Sequence, residues 1–223
     1  MPLASVIGFV PAPGCPRLVA MTKRLGVLLF PGFELLDVFG PLEMFGNLKK
    51  DIEVTMLAQS PGLVKSAQGP LVAIDATTAE TPALDMLLVP GGMGTRAEIT
   101  NQPLLDWITA VVPTTEVAMT VCTGTALFAR AGVLDGRRAT TNKAAFKWVA
   151  EQGPKVDWVK EARWVEDGKF VTSSGVSAGI DMALAVIQKM LGAETSERLA
   201  TMTEYEWHRD ASWDPFAKVH GLV

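Results

Sequence analysis

Short apolar runs alternate along this chain with longer stretches whose apolar residues recur at helical spacing. The runs are RLGVLLF (24–30), IEVTMLA (52–58), DMLLVP (85–90), TEVAMTV (115–121) and KFVTSS (169–174). Runs that are apolar on both faces fit the central strands of a parallel sheet covered by helices on each side. Between them the spacing predicts helices over 36–47, 101–111, 123–131, 143–151, 178–191 and 194–206. Asn101-Gln102-Pro103 reads as a helix start, and Ser177 as the N-cap of AGIDMALAVIQKML. GPLVAID and ARWVEDGKFVTS read as small antiparallel additions, the second turning at Asp167-Gly168. This alternation predicts an α/β three-layer sandwich around a mostly parallel sheet. After residue 207 the text HRDASWDPFAKVHGLV loses periodicity. It predicts a tail packed on the surface or on a partner subunit, with Trp207, Trp213 and Phe216 as a candidate dimer face.

Composition narrows the picture. With 223 residues, 48% hydrophobic and 20% charged, the chain suits one domain, placed at 21–223. Residues 1–20 read as a flexible N-terminal extension. Pro11, Pro13 and Pro16 interrupt its apolar character and it lacks a basic start, which argues against a secretory signal. The net charge of −4 and the lack of a basic stripe exclude nucleic acid as an expected partner. No uninterrupted apolar stretch is long enough for a bilayer span, so no membrane partner is expected. Two lone cysteines, Cys15 and Cys122, fit a reducing, cytoplasmic setting. The only histidines are His208 and His220, so no metal site is expected. No phosphate-binding glycine fingerprint is present, and no cofactor is expected.

In a parallel sheet, ligands bind beyond the carboxyl ends of the strands. Three of the expected strand ends carry chemistry. The first is Val121-Cys122-Thr123-Gly124, where a strand passes straight into a helix. A cysteine at that elbow projects from the sheet edge beside a helix N-terminus, whose free N–H groups favour the thiolate and lower the pKa. Gly124 lets the backbone turn tightly or pass close to a neighbour. A buried core thiol is the plainer alternative. The second is LLVPGGMG, whose exposed backbone makes Gly92, together with the amide of Thr123, a candidate pair of donors to a reacting oxyanion. The third is PGFELLDVFGPLEMF, in which Asp37 falls among Leu35, Leu36, Val38 and Phe39. It is either a dipole partner or a partly buried acid whose pKa burial raises. Glu34 reads as solvent-facing. In SSGVSAGIDMAL, Val176 is placed to wall a pocket, with Phe39 as a second apolar wall. The elbow lacks a nearby histidine unless the tail folds back.

LLDVFGP, VPGGMG, VCTGTALFARAGVLDGRRATT and SSGVSAGIDMAL, in this order and spacing, resemble the ThiJ/PfpI superfamily, which overlaps the class I glutamine-amidotransferase-like domains. Aspartate in LLDVFGP, with Cys-Thr-Gly, is similar to its isonitrile hydratase branch. The resemblance implies a flavodoxin-like sandwich, a homodimer and a small-molecule substrate. It implies a nucleophile at Cys122, an essential acid at Asp37, an orienting residue and backbone donor at Thr123, and a further donor at Gly92. Many relatives carry a histidine where this chain has Asn142, in ATTNKAAF. Asparagine cannot take up a proton at neutral pH. That departure weakens amidase, protease or glyoxalase chemistry, which needs a cysteine–histidine pair, more than a hydration run by cysteine and aspartate. The leading expectation is hydration of an isonitrile to an N-formamide. The alternatives are a glyoxalase-type or glycation-repair hydrolase and a non-enzymatic cysteine redox sensor or regulatory module.

Overall fold

The five apolar runs all become strands of one sheet. The computed structural model describes residues 22–223. The extension at 1–20, with Cys15, lies outside the described residues. The strands are β1 (Lys23–Leu28), β2 (Ile52–Ala58), β3 (Leu63–Lys65), β4 (Leu71–Ala73), β5 (Ala76–Thr77), β6 (Met86–Val89), β7 (Val117–Thr120), β8 (Arg138–Ala139), β9 (Asp157–Trp158), β10 (Trp164–Asp167) and β11 (Phe170–Ser173). Seven of them form the central sheet in the order β10-β11-β7-β6-β1-β2-β5. All neighbours there pair in parallel except β10 with β11, the hairpin that turns at Asp167-Gly168. GPLVAID holds β4, which pairs antiparallel with β3, while β5 just after it adds a parallel edge to β2.

The helices are α1 (Leu35–Phe45), α2 (Thr95–Glu98), α3 (Gln102–Val111), α4 (Thr125–Arg130), α5 (Phe146–Gln152), α6 (Ala178–Leu191), α7 (Ala193–Met202) and α8 (Phe216–Val219). One layer joins α1 to α6 and α6 to α7, and the other joins α3 and α5 to α4. Between the layers, Val27, Leu28, Leu87, Leu88, Ala118 and Met119 have no solvent exposure. Each large apolar side chain so buried contributes ~1.5–3 kcal/mol, which explains why the central strands read as unbroken apolar runs. Asn101 caps α3, its side chain accepting from Leu104 N–H at 3.4 Å. Ser177 stands at the N-cap position of α6 but makes no capping bond with its hydroxyl.

The tail folds back on its own domain. The N–H groups of Arg163 and Trp164 donate to the carbonyl of Ala211 at 2.8 and 3.3 Å. Buried Asp181 anchors the approach: it accepts from Arg163 Nε at 2.6 Å, from the Tyr205 hydroxyl at 3.0 Å and from the His208 amide at 3.0 Å. A buried ion pair holds when its remaining lone pairs are filled, as they are here. Trp207 is half-buried, leaving Trp213 and Phe216 exposed. None of the described helices is long and apolar enough to cross a membrane.

Candidate active site

Because β6 lies between β1 and β7, the loops leaving these three strands meet at one edge of the sheet. The loop from β1 leads into α1 and brings Asp37, the loop from β6 brings Gly91 and Gly92, and the loop from β7 brings Cys122. Asp37 has no solvent exposure, and its Oδ2 accepts from the Gly91 amide at 2.8 Å. Its Oδ1 is buried and completes no hydrogen bond among the described residues. The Cys122 thiol lies near enough for a weak side-chain hydrogen bond with this carboxyl. Burial pushes the Asp37 pKa up to about 8, against the pull of the Gly91 amide, so the carboxyl is protonated at neutral pH.

Cys122 takes φ +55°, left-handed for a residue with a Cβ. Such a conformation costs ~1–2 kcal/mol and persists only where surrounding bonds hold it. Its amide donates to Ser174 O at 3.0 Å, and its carbonyl accepts from the Thr141 hydroxyl at 2.7 Å. The chain then enters a 3₁₀ turn, Cys122–Gly124, before α4 begins. Gly124 keeps ordinary helical φ; its role is close approach, since a Cβ there would run into the carbonyl oxygens of Val89 and Pro90.

The thiol is not the low-pKa group expected at an elbow. Burial and then the Asp37 charge push it up, while hydrogen bonds from the Thr123 and Val176 amides oppose them. Two amide donors do not offset the loss of water around a side chain in a residue that is 6% exposed. At neutral pH the site therefore holds a neutral thiol beside a neutral carboxyl. Proton transfer must then accompany any attack by sulfur.

Several sequence expectations change role here. The Gly92 amide donates to Thr123 Oγ1 at 3.0 Å and so is already engaged. Gly92 needs its lack of a Cβ, having φ +119° and packing on the backbone of residues 32–34. The Thr123 hydroxyl also accepts from Thr95 Oγ1 at 3.2 Å, so its hydrogen bonds brace the 91–92 turn and none goes to Asp37. The Thr123 amide is a donor, directed at the sulfur. Val176 lines the cleft as expected, but its amide, approaching the thiol, is the part that acts. Asn142 lines the cleft and spends Oδ1 on the Ala145 amide at 2.9 Å.

Phe39 does not reach this cleft. It is 42% exposed and lines a neighbouring apolar groove with Leu36 and Leu71, because its position on α1 faces away from the sheet edge. Glu34, read as solvent-facing, instead lines the cleft and adds a negative charge that raises the pKa of both Asp37 and Cys122. The cleft holds about 500 Å³ and also takes in Arg96 and Trp148, which the sequence did not mark. His220 arrives from the folded-back tail to line a separate cavity of about 250 Å³, which shares Asn142 and Val176 with the cleft but not Cys122. Among the described residues no cluster of histidine, cysteine, aspartate and glutamate is arranged to hold a metal.

Residues 23–189 match the pattern of the DJ-1/PfpI family. The chain is 33% identical over 185 residues to the isonitrile hydratase of Pseudomonas putida, covering 83% of this chain and 79% of that protein. It is 29% identical over 200 residues to the HTH-type transcriptional regulator GbdR of Pseudomonas aeruginosa, covering 87% of this chain and only 54% of the regulator. A crystal structure of a ThiJ/PfpI family protein from Pseudomonas syringae matches with a TM-score of 0.78 at 28% identity, covering 90% of this chain and 83% of that one.

Proposed function

The chain belongs to the DJ-1/PfpI family, and from that premise we propose that it hydrates an isonitrile, R–N≡C, to the N-formamide R–NH–CHO. The observation that carries this reading is a carboxyl protonated by burial beside an elbow thiol that itself lines a cleft. An isonitrile carbon must gain a proton and a nucleophile, and this pair supplies both. Asp37 gives its proton to the carbon as Cys122 sulfur bonds to it, and the thiol proton returns to Asp37. The product is the thioimidate R–N=CH–S, with S–H added across one carbon. Water then adds across the C=N bond: its oxygen bonds to that carbon while Asp37 gives its proton to the nitrogen and takes one from the water. Collapse of the R–NH–CH(OH)–S adduct expels the sulfur, the hydroxyl proton passing to it through Asp37, and so restores the thiol and the protonated acid and releases the formamide.

The Thr123 and Val176 amides steady charge on sulfur as it bonds and as it leaves. The bond from Gly91 fixes one carboxyl oxygen, leaving the other to move the proton. Asn142 in place of a histidine costs this scheme nothing, because no step needs a third titrating group. The raised thiol pKa speaks against a peroxide sensor, which needs a ready thiolate. We place the partner copy of a homodimer on the apolar face of α1 and the β3–β4 hairpin, where Leu36 and Leu71 are 42% and 60% exposed. In this assignment the tail is already committed to its own domain. The test of function is product identity: a simple aryl isonitrile yields its N-aryl formamide. Lactate from methylglyoxal, with no formamide, contradicts the proposal.

A further inference from the structure

The wall of the cysteine cleft carries two cations that no described acid pairs. Arg96, on α2, lays its guanidinium over the indole of Trp148 on α5, 4.6 Å from the ring centroid. Lys147 precedes Trp148, and all three line the cleft with Cys122. Among the described residues, neither Arg96 nor Lys147 joins an ion pair. Glu98, on the same short helix as Arg96, is taken by Asn101 Nδ2 at 2.6 Å. The one acid lining the cleft, Glu34, accepts from Gln68 Nε2. The rest of the wall is largely apolar: Met93, Ala144, Ala145 and Val176.

Stacking on an aromatic face holds a guanidinium flat and leaves its edge, with the N–H fork, open to a ligand. A fork already held in place loses little freedom when a planar anion binds, and the fork matches a carboxylate through two parallel bonds. Lys147 adds a second positive charge on the same wall. The cleft thus runs from the Cys122 thiol, which has the buried Asp37 carboxyl beside it, past apolar walls, to a preset cationic fork.

We infer that the cleft selects substrates whose R group ends in a carboxylate, with Arg96 as the specificity residue, Trp148 as its platform and Lys147 as an auxiliary charge. This rests on the hydratase reading for the reacting end of the substrate, but recognition of the carboxylate does not depend on it.

The test compares 4-isocyanobenzoate with 4-isocyanobenzamide, which differ in charge and little in shape. The native protein favours the acid in kcat/KM by about ten-fold at low salt, through KM, as an exposed charge-assisted pair allows. Arg96→Gln brings the ratio towards parity, Lys147→Gln lowers it less, and Arg96→Lys keeps only part of it. A native ratio at or below one overturns the inference, as does a ratio that Arg96→Gln leaves in place; the arginine–tryptophan stack is then surface packing only. If neither isonitrile is hydrated, the hydratase reading fails while recognition is still decided by calorimetric titration of the protein with benzoate and with benzamide. Tighter binding of benzoate than of benzamide, lost in Arg96→Gln, supports the inference; equal binding, or none by either, overturns it.

Discussion

Asp37→Asn separates the burial of this acid from its chemistry. Asparagine keeps an oxygen for the Gly91 amide that bonds Asp37 Oδ2 at 2.8 Å, and never ionises. In the native protein the Asp37 pKa rises from 3.8 unfolded to about 8 folded. The folded state therefore holds a proton that the unfolded state has released, throughout that window. The stabilisation from keeping the proton is complete below the unfolded value and is lost as pH rises through the folded one. Its slope is about 1.4 kcal/mol per pH unit, and the whole window amounts to on the order of 5 kcal/mol. The carboxyl is fully buried, so solvent does not screen the effect. Urea unfolding of native and variant proteins across this range, extrapolated to water, measures it. The variant should gain on the native protein steadily from about pH 4 to about pH 8 and then hold a constant lead. A difference that stays flat with pH, or runs the other way, refutes the claim that Asp37 is a buried, protonated acid.

Three further outcomes follow from the same geometry. Hydration that needs the protonated Asp37 should fall about ten-fold per unit above about pH 8, read from kcat against pH; a rate that rises through that region contradicts the assignment of the acid. Thr123→Val strands the Gly92 amide that now donates to Thr123 Oγ1, and should cost ~1–3 kcal/mol in denaturant unfolding while lowering activity through the 91–92 turn. Gly124→Ala drives a Cβ against two backbone carbonyls and should destabilise by ~1–3 kcal/mol, with the elbow displaced.

How much the sequence disclosed depended on the range of the forces involved. Strands β1, β6 and β7 are legible because burial on both faces leaves nearly continuous apolar runs, β2 and β11 because β-branched residues crowd a short segment, and α6 because fourteen residues carry one period. Cys122, Asp37 and the Pro-Gly-Gly turn were legible as a set because each stands at a strand exit. The partners were not. A four-residue helix such as α2 has too few turns to show a period, so Arg96 carried no signal. The Val176 amide acts through backbone, which composition cannot mark. Glu34 meets the cleft and Phe39 does not because the start of α1 is pinned by a distant backbone contact, Glu34 N–H to Gly91 O, which leaves no periodic trace. The thiol shifts against the local expectation for a related reason: an elbow is recognisable locally, whereas its burial is set by loops distant in the chain. The histidines stand in an aperiodic tail, and that this tail folds back rests on Asp181 and Ala211, contacts with no periodic trace.

The central claim is that sulfur of Cys122 bonds to the isonitrile carbon. Supplying an aryl isonitrile to the native protein and to Cys122→Ser and Cys122→Ala, and quantifying N-aryl formamide over time, tests it most directly. Formamide should accumulate with the native protein and stay at the protein-free background with both variants. Formamide produced at the native rate by either variant, or none from the native protein, contradicts the account.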